Sequence, residues 1–292
     1  MAAGWLRGLP ADSIAEAIAI AAVSAPNQAA NGYTRVLGNA VKEGVPVATA
    51  IGLTAVELAA AGFTGPVDVL DHVSRFDPDV LTKGLGDTWL IEGCYLKPYS
   101  CCRWIHAGLD GLLAIRNEHG IEAKDIIAID MHTFGATIAL SNEIAPRTLE
   151  GAQYSTPFCL ALAALRGADA LQPLQEELLH DADARALAGR VRLHLDPAFE
   201  AMFPRKVPCR IAVTTAAGTI DRTVLSPKGE ADNPMSWTDL AEKFTVVTGK
   251  FIDAVAQRRL RSALRSLGDG DGAPLQAALA APLALRESAG RR

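Results

Sequence analysis

The sequence predicts a mixed α and α+β fold, helical towards both ends with an α+β unit in the middle. Three observations carry this expectation. Alanine-rich stretches with helical spacing fill much of the region between Ser13 and Leu58. Apolar and polar residues alternate from Ile126 to Phe134 and again through Val191, Leu193 and Leu195, the period of a half-buried strand. Beyond Asn233-Pro234-Met235, Ser236 with Asp239 three residues on reads as the start of a capped helix.

Taken in order, Ser13-Ile14-Ala15-Glu16 matches a capping box and predicts a helix to about Val23, with Ile14, Ile18 and Ala21 at helical spacing. Pro26 to Gly44 reads as loop because of Asn27, Asn31, Gly32 and Gly38. Pro46 suits the first turn of a second helix that presents Val47, Ile51, Ala55 and Leu58 on one face and stops at Gly62. Pro98 disfavours helix at Lys97, whereas Ile105, Leu109, Leu112 and Leu113 predict a helix from about Ile105 to His119, broken by Gly120. The strand that follows places Ile127, Ile129 and Met131 on one face and Asp130 and His132 on the other. Helices are expected from about Thr156 to Leu165, and as a pair between Leu171 and Ala188. Pro208–Thr215 and Thr219–Leu225 read as a hairpin turning at Ala217-Gly218, which makes about four strands with helices on one side. The helix after Ser236 turns Leu240 and Phe244 inward, and a last helix runs from about Phe251 to Leu267. The tail from Gly268 to Arg292 reads as flexible, with an apolar patch (Leu275–Leu285) capable of forming a helix.

At 292 residues the chain is long enough for two domains. Hydrophobic residues make up 49% and aromatics only 5%, so the core must be built from Ala, Leu, Val and Ile. A net charge of −5 without a basic run argues against nucleic acid as a partner. The five cysteines form no C-x-x-C pair of the zinc type, which predicts no metal site, and their odd number fits a reducing, cytoplasmic compartment. The apolar run Ala17–Ala25 lacks the basic flank of a signal sequence, and no run reaches the ~18 apolar residues of a membrane span.

Chemistry is concentrated in Lys97–Gly111, KPYSCCRWIHAGLDG. Lys97, Tyr99 and the helix start from Arg103 to His106 are able to face one pocket. A lysine and a histidine held close together deliver or remove a proton, and an arginine holds a carboxylate. Against this, a lone helical histidine is ordinarily a satisfied core or surface residue, and adjacent cysteines are ordinarily small buried apolar groups. Nothing in the sequence lowers the pKa of Cys102, so no nucleophile is expected there. His72, His119, His132, His180 and His194 are read as structural.

The Lys97–Gly111 segment resembles a signature of the MmgE/PrpD family, the 2-methylcitrate dehydratase-like proteins. Three further segments resemble the family in the same order: GFTGP (Gly62–Pro66), FPRKVPCRIAV (Phe203–Val213) and PKGEADNPMSWTDLAEKF (Pro227–Phe244). The resemblance implies a helical domain built from both chain ends, here 1–93 and 231–267, with an α+β lid, 94–230, inserted between them and a tail, 268–292. It implies lyase or isomerase chemistry on a small di- or tricarboxylate, without cofactor or essential metal. Lys97 and His106 take the acid/base or carboxylate-binding roles, with Arg103 and Tyr99 as clamp and hydrogen-bond donor. Around Thr34–Ala40 the family usually shows a lysine-and-histidine pattern; here Arg35 stands for the lysine as a substrate-binding candidate, and the histidine is absent. Set against the resembled family, the sequence is expected to lack the N-terminal helical segment. The expected associations are therefore a homodimer or a second polypeptide that supplies the missing part. The alternative is a catalytically impaired member serving as a binding or structural subunit.

Overall fold

A computed structural model describes residues 1–24, 45–74 and 76–281. The chain divides into two compact units, Met1–Ile91 and Glu92–Arg292. Its architecture is mixed, many helices with one four-stranded sheet.

In the first unit, a short helix (Ala2–Leu6) precedes α1 (Ala11–Ser24) and α2 (Val45–Ala60), which pack on each other. Helix α1 begins two residues before the expected Ser13. Glu16 accepts instead from the backbone N–H of Gly65, at 2.6 Å, tying the GFTGP segment to α1. Gly65 must be glycine because a Cβ there would lie 2.8 Å from the Ile20 nitrogen. The face that α2 buries is Ala55, Val56 and Ala59, while Val47 is exposed, so the predicted stripe is rotated by about one residue. Gly62, at φ +88°, closes α2 as expected: its N–H reaches Ala59 and that of Phe63 reaches Leu58, a Schellman arrangement. The loop expected over Pro26–Gly44 lies outside the described residues.

The second unit is a two-layer arrangement. The sheet runs in the order β2-β1-β3-β4, with β1 (Ala128–Thr133), β2 (Val191–Leu195), β3 (Cys209–Thr215) and β4 (Gly218–Val224). Strands β1 and β2 are parallel, in the register Ile129↔Val191, and β1–β3–β4 are antiparallel. Two helices, α3 (His106–His119) and α4 (Thr156–Arg166), form the core with one face of the sheet. Ile129, Met131 and Ile211 point inward; Asp130 and His132 occupy the other face, as alternation predicted. Ile127 corrects that reading, since it precedes the strand and is exposed while Ile126 is buried in its place. The hairpin turns at Ala216-Ala217, one residue earlier than expected, with Gly218 at φ +129° opening β4. Helix α4 is buried all round, from Phe158 to Ala164, which requires its apolar composition. Gly111 lets α3 lie against the sheet: a Cβ there would meet Ile211 Cγ2 at 2.6 Å.

The expected helix pair between Leu171 and Ala188 resolves into a 3₁₀ turn (Glu176–His180) and α5 (Ala182–Ala188). Helix α6 (Trp237–Thr248) opens with the predicted Ser236–Asp239 capping box. Helix α7 (Ala254–Gly268) starts after Asp253 rather than at Phe251, which is exposed. Within the tail, α8 (Ala273–Ala280) packs Leu275 and Ala278 against Ile252, Ala256, Leu260 and Ala263. Among the described residues no helix is long and apolar enough to cross a membrane.

Candidate functional site

The Lys97–His106 segment is held by three separate parts of the second unit. Leu96 N–H donates to the Gly229 carbonyl at 2.8 Å, Ser100 N–H to Leu171 at 2.8 Å, and Cys102 N–H to Gln153 at 2.8 Å. Gly229 sits at φ +95°, and a Cβ there would fall 1.9 Å from the Leu96 carbonyl oxygen. Only glycine permits this approach. At the end of the segment, a 3₁₀ turn (Arg103–Ile105) leads directly into α3 at His106.

Arg103 is 5% exposed and has all five N–H donors occupied. Nε and Nη2 donate to Glu230 Oε1 at 2.9 and 2.6 Å, and Nη2 also to the Pro227 carbonyl at 3.3 Å. Nη1 donates to the Lys228 carbonyl at 3.0 Å and approaches His106 Nδ1 at 3.0 Å. Tyr95 covers the guanidinium, its ring centroid 4.8 Å away. The guanidinium thus fastens the PKGE loop to the start of α3, with no donor left over for a substrate carboxylate.

A guanidinium only donates, so Nδ1 of His106 accepts and the imidazole carries its proton on Nε2. His106 is fully buried, and Nε2 has no hydrogen-bond partner. A buried donor in this state costs about 1–3 kcal/mol relative to a satisfied one. The Tyr99 ring packs edge-on against the imidazole, 5.1 Å between centroids. Tyr99 Oη donates to Asp110 Oδ1 at 2.9 Å, and Asp110 Oδ2 accepts from Lys228 N at 2.6 Å. Burial, followed by the charge of Asp110, pushes the Tyr99 phenol up, so it remains a donor. Burial raises Asp110 as well, against the pull of its hydrogen bonds.

Cys101 and Cys159 form a buried thiol pair beside this group. Burial pushes Cys101 up, but its hydrogen bond with Cys159, together with His106 and Lys97, outweighs burial and holds it below its ordinary value. The hydrogen bond with Cys101 and burial raise Cys159, whose Sγ contacts the Ala152 carbonyl at 3.2 Å. His106 lowers Cys101 as a hydrogen-bonding neighbour first and through its charge second, although Nε2 meets no partner within normal hydrogen-bond geometry. The five cysteines are all free thiols.

The structure therefore brings Tyr99, Arg103 and His106 into one contact group, with the Lys97 ammonium near enough to act on Cys101. Lys97 is half-buried and its carbonyl accepts from Lys243 Nζ at 2.5 Å. Arg35 lies outside the described residues. Asp110, Glu230, Gly229 and Lys243 were not singled out in the sequence. Asp110 follows His106 by four positions on the same helix face, which is a usable sequence signal; the other three lie in the PKG–NPMS segment. Among the described residues, no group of three or more His, Cys, Asp or Glu side chains could hold a metal ion.

No curated protein matches the chain. A family profile described as the MmgE/PrpD C-terminal domain matches residues 99–269, more than half of the 292 residues and nearly all of the site just described. The chain therefore belongs to the MmgE/PrpD family.

Proposed function

We propose that the chain is a lyase or isomerase subunit acting on a small di- or tricarboxylate, with hydro-lyase chemistry of the 2-methylcitrate dehydratase type as its most specific form. The observation that supports this most is His106: a wholly buried imidazole whose Nδ1 is occupied by Arg103, leaving Nε2–H without an acceptor. Such a proton is positioned for delivery to a group that enters with the substrate. In a dehydration one C–H and one C–O bond break. The C–H proton is lost to water and recovered with the departing hydroxyl, so that the two leave together as water; Nε2–H donates a hydrogen bond to that hydroxyl, and the Lys97 ammonium holds a carboxylate and offsets the negative charge developing on the adjacent carbon. Tyr99 and Asp110 fix the imidazole from the side; Arg103 acts as a positioning residue. The free cysteines support a reducing, cytoplasmic setting.

The non-catalytic alternative, a binding or structural subunit, is favoured by one feature. Leu85, Trp89, Leu90 and Ile91 are all more than 60% exposed, which is the pattern of a surface that associates with a second copy or another polypeptide. Incubating the purified chain with 2-methylcitrate and cis-aconitate, following the product by NMR, separates the two. The enzyme reading expects turnover that His106→Gln reduces by about a hundredfold or more. Turnover that His106→Gln leaves intact removes His106 from the mechanism. Light scattering on the same sample reads the association state, for which a homodimer or a complex with a second polypeptide is expected.

A further inference from the structure

Lys243 is the unexplained cation nearest to the site. It lies in the middle of α6, half-buried, and its Nζ donates to the backbone carbonyl of Lys97 at 2.5 Å. This uses one of its three N–H donors and leaves two. Its pKa is lowered by burial and then by the positive charge of Lys97, with no carboxylate opposing either. Lys228, one loop away, provides the contrast: its ammonium pairs with Asp239 at 3.1 Å, a residue of the same α6. Among the described residues neither Lys97 nor Lys243 has an ion pair. The partly desolvated Lys243 ammonium thus lies within electrostatic reach of the Lys97 charge, with no counter-charge beside it.

The arrangement is firmly built. Lys228–Asp239 fastens α6 to the PKGE loop, the same loop that holds Leu96 through Gly229 and Arg103 through Glu230. The two lysines are thus presented from elements cross-tied at several points rather than from mobile surface. A dianionic ligand placed between them relieves the repulsion and meets the free N–H donors.

We propose that Lys97 and Lys243 together form a two-cation clamp for adjacent carboxylates, so that Lys243 sets the preference for di- and tricarboxylates over monocarboxylates. This rests on the reading of Lys97 as a substrate-binding residue.

The test uses the full chain with two unreactive probes, tricarballylate and propionate, titrated by NMR and calorimetry. The wild type is expected to bind tricarballylate more tightly than propionate. Lys243→Met is expected to weaken tricarballylate by about tenfold or more, the worth of a charged hydrogen bond, and to leave propionate unchanged. Lys243→Arg, which keeps charge and donors, is expected to restore most of the affinity. If Lys243→Met binds tricarballylate as the wild type does while Lys97→Met loses it, the clamp is overturned and the Lys97 reading stands. Equal losses for both probes in Lys243→Met also overturn it, because they show that Lys243 only supports the Lys97 backbone. If the wild type binds neither probe, the reading of Lys97 fails and the clamp with it.

Discussion

In the Met1–Ile91 unit the buried cluster is Ala17, Ile20, Ala55, Val56 and Ala59, whereas in Glu92–Arg292 it is built on Phe158, Ile105, Leu109, Leu112, Ile129, Met131, Leu160 and Leu162. The first brings two helices close through small side chains and buries little apolar area per residue. The second surrounds α4 completely and packs α3 on the sheet. Polar fastening differs in the same direction. The first unit is tied by Glu16 to Gly65 and by an exposed Arg7–Glu57 pair, while the second holds one segment through Gly229, Leu171, Gln153 and the five donors of Arg103. An orphaned Nε2–H and a partly desolvated Lys243 ammonium opposed by the charge of Lys97 are unfavourable features, and they persist where the surroundings over-determine the backbone. The unit that carries the candidate site is the one able to bear that strain.

Removing the central fastener is the strongest way to break the comparison. Arg103→Ala leaves Glu230 and three carbonyl or imidazole acceptors without their donor, and should cost about 3–5 kcal/mol of stability in the second unit, read by urea unfolding. A loss below about 1 kcal/mol would show that the guanidinium fastens little.

Core truncations sharpen the contrast between the two units. Leu162→Ala, in the fully buried α4, should cost about 2–5 kcal/mol. Val56→Ala in the first unit should cost only about 1.6 kcal/mol, two methyl-sized groups' worth of burial. Native-state hydrogen exchange should report the same order, with the α4 amides protected more strongly than those of α2.

Much of this division could be read from the chain. Gly120 and Gly62 ended their helices as expected, Ser236–Asp239 capped α6, and the alternation at Asp130 and His132 placed them on the polar face of the sheet. The local rules work where the interacting groups are close in sequence. They fail where a partner is distant: Glu16 fits a capping box, yet its carboxylate accepts from Gly65, 49 residues on. The sequence points Arg103 to a substrate carboxylate, whereas its principal partner is Glu230, 127 residues away. Lys243 carries no local signal for the same reason, its contact with Lys97 spanning 146 residues. The α2 face shifted because several alanines at neighbouring positions fit either stripe equally well.

A smaller effect is expected at Gly229. Alanine there places a methyl group into the Leu96 carbonyl and demands a positive φ, so a loss of about 1–3 kcal/mol should accompany weaker binding at Lys97. Denaturant unfolding and the tricarballylate titration check both parts. If the variant matches the wild type in both, the PKGE loop does not position the segment.

The smallest effect is electrostatic and lies on the polar face of the sheet. Burial raises Asp130, but hydrogen bonds from His194 at 2.7 Å and from Arg192 outweigh it and hold the carboxyl below its ordinary value. A depressed acid contributes stability above its unfolded pKa and loses it as pH falls through the folded one. Asp130→Asn should therefore flatten the acid side of the stability profile below about pH 4 by less than ~1 kcal/mol, because the partners are exposed. An unchanged profile would show that the pair contributes nothing.

The central claim is that Arg103 fixes His106 with its proton on Nε2, ready for a group that arrives with the substrate. Long-range ¹H–¹⁵N NMR of the imidazole tests it directly in the purified chain. The account predicts a single neutral tautomer with an unprotonated Nδ1 and a protonated Nε2, and a change in the Nε2 resonance when tricarballylate is added. A proton on Nδ1, or a mixture of tautomers, would contradict it.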